Sequence, residues 1–365
     1  MVRDFRAELW PSMDLCADEL LAHIPATVSA ADITPAFRHV FGYIPCAPRA
    51  AFNADRLLNR HVLLPRVVRR ISRRFDFFHI VDHSYAHLVN VVPTGRAGVY
   101  CHDLDAFRSI LEPNREPRPW WFRRLAARTL GGLKCAAVVF HNSAGVGRQL
   151  VDAGIINANR LVHAPLGVSA EFAPLTSTPV ELPFTLPVPF LLHVGSNIPR
   201  KRLDVLLRVF AEFRRRGGRH HLVQVGGPWP THLVEHITAL GVSEWVTQVR
   251  GLARLQLAEL YRRAATVLVT SEAEGFGLPV IEALACGTPV VASDLPTLRE
   301  AGGTIVNYCT VADTGAWLRG LGLAIREPRD GVTYEKRVAQ AARFSWREHA
   351  RIIAATYQRL ADGGR

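Results

Sequence analysis

At 365 residues, 48% of them hydrophobic and 21% charged, the chain exceeds one ordinary core and is too apolar for a disordered segment, so two globular domains are expected. No stretch of 18 apolar residues is present to form a transmembrane helix, and the charged start MVRDFRAELW lacks the apolar region of a signal peptide. The net charge of +12 invites a nucleic-acid reading, but no helix-turn-helix, zinc-finger or RNA-binding sheet motif accompanies it, so nucleic acid is not an expected partner.

In chain order, MVRDFRAELWPSMDLCADELLAHI reaches a helix almost at once, with Ser12 as its expected N-cap. Residues 66–75, RVVRRISRRF, set Val67, Ile71 and Phe75 at helical spacing, with Arg66, Arg69, Arg70, Arg73 and Arg74 on the other side. The plain reading is a solvated surface helix. The functional one is docking on an anionic bilayer, where each nearby Lys or Arg contributes about 1 kcal/mol. A second basic and aromatic segment, RPWWFRRLAAR at 118–128, favours docking because Trp and Arg suit a membrane interface. Strands are predicted at FFHIVDH (77–83), GVYCHD (98–103), CAAVVFHNS (135–143) and RLVHAPLGV (160–168). The spacing of His79, His83 and His87 would align them for a metal only on a helix, so no metal cluster is expected there.

The segment APLTSTPVELPFTLPVP, 173–189, holds five prolines and no helical period, which marks a linker. Beyond it, strands are predicted at FLLHVG (190–195), HLVQVGG (221–227), WVTQVRG (245–251), TVLVTS (266–271) and PVVAS (289–293). Alternation of strands and helices on both sides of the linker predicts two Rossmann-like α/β domains facing a cleft, over 1–172 and 190–343. A closing amphipathic helix is predicted within 344–365, with apolar positions at 346, 350, 353, 354, 357 and 360. Cysteines at 16, 46, 101, 135, 286 and 309 form no CxxC pair and are expected to be buried thiols in a reducing cytoplasm.

The most informative stretch is SEAEGFGLPVIEALACGTPVVAS, residues 271–293. It reads as strand, glycine turn and helix, with Pro279 at the first helical position and Gly287 as the stop. Such a turn aims free N–H groups and a positive helix end at an anion. Glu274 and Glu282 would repel a phosphate, so they are better suited to neutral hydroxyls on either side of one. A nucleotide sugar has that layout.

From Ser271 to Ser293 the chain resembles the motif of retaining glycosyltransferases of family 4, in which two glutamates are separated by seven residues and the fold is GT-B. The resemblance spans the second domain and the closing helix, which in the family crosses back onto the N-terminal domain. It implies transfer of a mannose- or glucose-type hexose from a GDP- or UDP-hexose to a hydroxyl of a glycan or lipid-linked acceptor, with no metal or other cofactor. His102, in CHDLD, matches a family histidine facing the anomeric centre, and Glu274 would position the sugar ring. Glu282 would bind ribose hydroxyls, while amides of Gly275, Phe276, Gly277 and Leu278 meet sugar and phosphate. Arg200 and Lys201, in SNIPRKRLD, would meet the diphosphate; cations before a helix oppose its dipole unless an anion is present.

Two departures stand out. Ser196 occupies a donor-side position where the family often carries Arg. The first strand looks shortened, and PSMD stands where a glycine-rich loop is usual. Ser12, His83 and Asp103 are the acceptor-side candidates. Asp103 and Asp105 spell a DxD triplet that holds metal in other glycosyltransferases, but Arg200 and Lys201 already supply the positive charge. A sugar-nucleotide epimerase of the same fold and a non-catalytic basic binding protein are the alternatives; a nicotinamide oxidoreductase would need a GxGxxG motif that is absent. The expected location is the cytoplasm, with docking at the inner membrane face as the functional reading of the arginines.

Overall fold

The computed structural model describes residues 1–42, 47–174 and 180–363. The chain divides into two compact units, Met1–Leu166 with Trp346–Arg365, and Gly167–Ser345. Cys46 and the linker positions 175–179 lie outside the described residues.

Unit 1 is built on a parallel sheet in the order β1-β2-β3-β4, with β1 Phe78–Ile80, β2 Ala97–Cys101, β3 Val138–His141 and β4 Leu161–His163. β1 to β3 are buried along their whole length, as continuous apolar runs require in a sheet covered on both faces. Near the N-terminus, Val2 forms a single parallel bridge with Ile80. Helices α1 Pro11–His23, α2 Pro48–Leu58, α3 Leu64–Ile71, α4 Arg108–Leu111, α5 Trp120–Cys135 and α6 Ala144–Asp152 accompany this sheet.

Three expectations are corrected here. Pro11 takes the first position of α1, so Trp10 is the N-cap and Ser12 lies exposed inside the first turn. α3 begins at Leu64 and ends at Ile71, because Leu64 and Val68 set the buried stripe; Val67 is only half-buried, and Phe75 follows the helix. Arg66, Arg69, Arg70, Arg73 and Arg74 are all exposed. Cys16, Cys101, Cys286 and Cys309 are buried thiols, but Cys135 ends α5 on its solvent side and is exposed.

Unit 2 carries a six-stranded parallel sheet in the order β10-β9-β8-β5-β6-β7. Its strands are β5 Phe190–Val194, β6 His221–Val225, β7 Val246–Val249, β8 Thr266–Val269, β9 Val290–Ser293 and β10 Asn307–Cys309. Edge strand β10 escaped the sequence reading because its three residues are mostly half-buried and carry no apolar run. The helices are α7 Leu203–Arg215, α8 Thr231–Ala239, α9 Arg254–Arg263, α10 Leu278–Ala285, α11 Pro296–Gly302, α12 Thr314–Ala324 and α13 Gly331–Ala341. The last helix, α14 Trp346–Gly363, belongs to unit 1. It buries Trp346, Ala350, Ile353 and Ala354, and its Tyr357 hydroxyl hydrogen-bonds with His79 Nδ1 at 2.9 Å.

α5 lies against the 3-10 run His83–Val91, and its two adjacent glycines face different surroundings. A Cβ on Gly132 would stand 2.1 Å from the Ala86 carbonyl oxygen, whereas one on Gly131 would meet nothing within 4 Å. Gly131→Ala is therefore expected to raise unit 1 stability by up to about 1 kcal/mol through helix propensity. Gly132→Ala should lower it by about 1–3 kcal/mol through overpacking. Thermal melts of the two variants check this; shifts of the same sign would contradict the packing described.

Candidate active site

In unit 2, the carboxyl ends of neighbouring strands β5 and β8 carry the two halves of one charged cluster. After β8 the chain turns through 270–277 and enters α10 at Gly277, whose φ of 107° is left-handed. A side chain there would be strained, and its Cβ would stand 2.7 Å from Leu298 Cδ2. Pro279 is accommodated in the first turn of α10, one residue after the helix begins at Leu278, so Glu282 falls in the second turn. After β5, Pro199–Lys201 form a 3-10 turn, and Arg202, left-handed at φ 49°, caps α7.

Backbone bonds hold the two turns together. The Glu272 amide donates to the Arg200 carbonyl at 2.8 Å, and Thr270 Oγ1 donates to the Lys201 carbonyl at 2.9 Å. Between them lies Glu274, its side chain only 7% exposed. Lys201 Nζ donates to it at 2.5 Å, Arg200 Nη1 lies 3.4 Å away, and Ser271 Oγ donates at 2.7 Å. Burial alone would raise the Glu274 pKa, but Lys201 and then Arg200 outweigh it and hold the carboxylate below its ordinary value. Two cations and one carboxylate leave this cluster with a surplus positive charge beside the N-terminus of α10. Ser196 is exposed in the loop after β5. Phe276 is buried with its ring edge-on to Phe344, 5.4 Å between centroids, so its side chain anchors the turn.

Glu282 has different company. Its Oε2 accepts from the Tyr261 hydroxyl of α9 at 2.9 Å. Burial raises its pKa to about 7, against the opposing pull of Arg254 and of the Tyr261 bond. The two glutamates thus stand in separate surroundings, one ionised among cations and one near its titration point beside a phenol. A residue absent from the sequence reading, His193 on β5, lies under the cluster. It is buried, bonds through Nδ1 to the Leu268 carbonyl at 2.9 Å, and is kept neutral by burial at about 4.

In unit 1, candidate residues gather at the carboxyl ends of β1 and β2. His102 Nε2 donates to the Val81 carbonyl at 2.8 Å, which leaves Nδ1 as an acceptor. Burial lowers the His102 pKa, with Asp82 opposing, so a neutral ring is held in one tautomer. The Asn142 side chain donates to the His102 carbonyl at 3.0 Å. His83 Nδ1 lies 3.1 Å from Asp82 Oδ1, and its Nε2 lies 3.6 Å from Asp103 Oδ1. Asp103 also accepts from the Asp105 amide at 3.0 Å, closing a local turn. Among the described residues, no three His, Cys, Asp or Glu side chains are arranged to hold a metal ion, and no hydrogen bond ties Ser12 to this group.

Sequence reasoning passed over the polar network behind these residues. Arg60 Nη2 donates to Ser84 Oγ at 2.5 Å, Ser84 Oγ donates to Asp82, and the Tyr85 hydroxyl donates to Glu8 at 2.8 Å. Asp4 is buried beside Asp82; burial and the neighbouring carboxylate push its pKa well up, while His83 and His102 hold that of Asp82 down against its own burial. The available signal was Asp4 and Glu8, close in sequence to the bridging residue Val2.

Residues 179–311 match the family model described as glycosyl transferases group 1. The chain is 35% identical over 234 residues to D-inositol 3-phosphate glycosyltransferase of Nocardia farcinica, covering 59% of this chain and 51% of that one. A second protein of that name from Catenulispora acidiphila is 39% identical over 185 residues, covering 46% and 43%. The chain spans about half the length of the relatives it matches. Among solved structures, sucrose-phosphate synthase of Thermosynechococcus elongatus aligns with a TM-score of 0.70 at 19% identity, covering 89% of this chain and 83% of that one. Anabaena HepE in complex with UDP-glucose aligns at 0.64 and 19% identity, covering 81% and 82%. The fold of the chain is GT-B.

Glu282 yields a pH test. Its folded value of about 7 lies above the ordinary 4.5, so the folded chain retains a proton that the unfolded chain releases between those values. Ionisation of Glu282 thus costs stability increasingly as pH rises from 4.5 to 7, and the full cost remains above 7. Glu282→Gln is expected to stabilise unit 2, by on the order of 2 kcal/mol more at pH 8 than at pH 5. Denaturant melts at both pH values check it, and a gain independent of pH would contradict the assignment.

Proposed function

We propose that this chain is a group 1 glycosyl transferase acting as a retaining hexosyltransferase. It moves a mannose- or glucose-type hexose from a GDP- or UDP-hexose to a hydroxyl of a glycan or lipid-linked acceptor, in polysaccharide or glycoconjugate synthesis. The observation that carries the reading is the buried Glu274–Lys201–Arg200 cluster at the start of α10, set apart from Glu282 at Tyr261. UDP and UDP-glucose, found with the fold neighbour HepE, support a nucleotide-sugar donor. The name shared by the relatives adds a phosphorylated polyol to the acceptors worth testing.

In this reading the donor diphosphate meets Arg200, Lys201 and the amides opening α10. As the bond from the anomeric carbon to phosphate breaks, negative charge grows on the leaving oxygen, and fixed cations lower the barrier without reorganising. The acceptor oxygen bonds to the same face of the sugar, and its proton passes to the departing phosphate. Neutral His102 offers Nδ1 to a sugar hydroxyl, Glu274 steadies the ring as positive charge develops, and Glu282 accepts from ribose hydroxyls. The charge comes from Arg200, Lys201 and α10, so turnover is expected to survive excess EDTA; loss restored by Mn²⁺ would promote Asp103 and Asp105 to ligands.

Steady-state kinetics across GDP- and UDP-hexoses test the assignment. Glu274→Gln should lower kcat by roughly 10²-fold, as loss of a preorganised electrostatic group does, with nucleoside diphosphate affinity retained. Glu282→Gln should raise KM more than it lowers kcat, because contacts to the nucleoside are equal in ground and transition states. A reversed pattern would overturn the division of labour, and hydrogen exchange at the sugar C2 without transfer would indicate an epimerase.

A further inference from the structure

The arginine-rich segments have no task in the site. α3 and α5 present Arg66, Arg69, Arg70, Arg123, Arg124, Arg128 and Lys134 at exposed positions and contain no Asp or Glu. Surface arginines on other helices do find carboxylates, as Arg215 does with Glu212 and Arg351 with Glu348, both at 2.6 Å. α5 also opens with three consecutive aromatic residues, Trp120, Trp121 and Phe122, which are 75%, 45% and 36% exposed. The Arg118 guanidinium lies over the Phe122 ring at 5.4 Å.

These features share a face of unit 1. α5 meets the 3-10 run His83–Val91 at Gly132 and Ala86, and the His61 ring, just before α3, lies 4.5 Å from His87 of the same run. The charge of Arg128 is felt at both His61 and His87, which sets the middle of α5 beside the start of α3. The chain leaves β2 at its carboxyl end, by His102, and returns to the amino end of β3, where the Ala137 amide donates to the Ala97 carbonyl at 2.8 Å. α5 therefore runs from the edge that holds His102 and Asp103 toward the opposite edge, with the aromatic turn at the candidate-site end.

We propose that this face docks on an anionic phospholipid bilayer. Trp120, Trp121 and Phe122 enter the headgroup layer, and the arginines of α3 and α5 meet lipid phosphates. Charge complementarity selects an anionic partner, and the aromatic turn selects among anions. Three rings within one helical turn form a wedge, whereas a single-stranded nucleic acid needs aromatics spaced along a groove to stack successive bases. The docking stands independently of the transfer reading; only the corollary that the acceptor is lipid-borne rests on that reading.

The experiment is co-sedimentation of the full chain with vesicles of phosphatidylcholine alone and of equal parts phosphatidylcholine and phosphatidylglycerol, at low and raised salt. Strong partition to the anionic vesicles only is expected. Arg123→Gln with Arg124→Gln should weaken it about 30-fold, roughly fivefold per lost charge, while the paired Arg→Lys variant should bind as the parent does. Trp120→Ala with Trp121→Ala should weaken it on the order of tenfold, with the loss persisting at raised salt. Equal partition to neutral vesicles, variants that bind like the parent, or tighter binding to an oligonucleotide lost in the same variants would each overturn the proposal. The assay requires no turnover, so its failure is distinct from failure of the hexosyltransferase assignment.

Discussion

A carboxylate buried against two cations organises unit 2. An ionised glutamate removed from water costs several kcal/mol unless paired, and Glu274 is paired with Lys201 and Arg200 from a turn more than seventy residues earlier. That pairing fastens the turn after β5 to the turn after β8, which are neighbours in the sheet order. With the turns fixed, Gly277 can adopt its left-handed conformation and α10 starts beside the cations. The surplus positive charge makes the place suited to an anion, and the single carboxylate keeps the cations oriented before one arrives.

Unit 1 is arranged on a different electrostatic plan. Burial lowers the pKa values of His79, His87, His102 and His349, and each bonds within the fold through one ring nitrogen. The carboxyl edge of the sheet gathers Asp4, Glu8, Asp82 and Asp103, with Arg60 as the cation linked to Glu8 and Ser84. The outer helices α3 and α5 are wholly cationic. An acidic edge and a basic outer face therefore coexist within one unit, which net charge alone conceals.

Much of this was legible because it is local. Apart from edge strand β10, the strands of both sheets announce themselves as short apolar runs, and the turn from Ser271 to Gly287 carries its geometry in Gly277, Pro279 and Gly287. What stayed hidden is what distance in sequence hides. Arg60, Ser84, Asp82 and Asp4 come from three segments, so no spacing rule brings them together. The bond between Tyr357 and His79 joins residues 278 positions apart. The pairing of Glu274 with Lys201 was invisible for the same reason, although each residue was singled out separately. Ser12 was misplaced by two positions because Pro11, compatible with the first helical turn, moved the cap to Trp10. α3 was set two residues late at its start and four at its end because the arginine pattern drew attention to the exposed side of the helix and away from Leu64 and Val68.

The most direct measurement is calorimetric titration of UDP and GDP into the intact chain and into Lys201→Met and Arg200→Gln. If the Glu274 cluster is the diphosphate site, at least one nucleotide binds the parent chain. Each substitution should then weaken binding by tenfold or more, since a hydrogen bond to a charged group contributes about 1.5–3 kcal/mol. Equal affinity in all three proteins would contradict it.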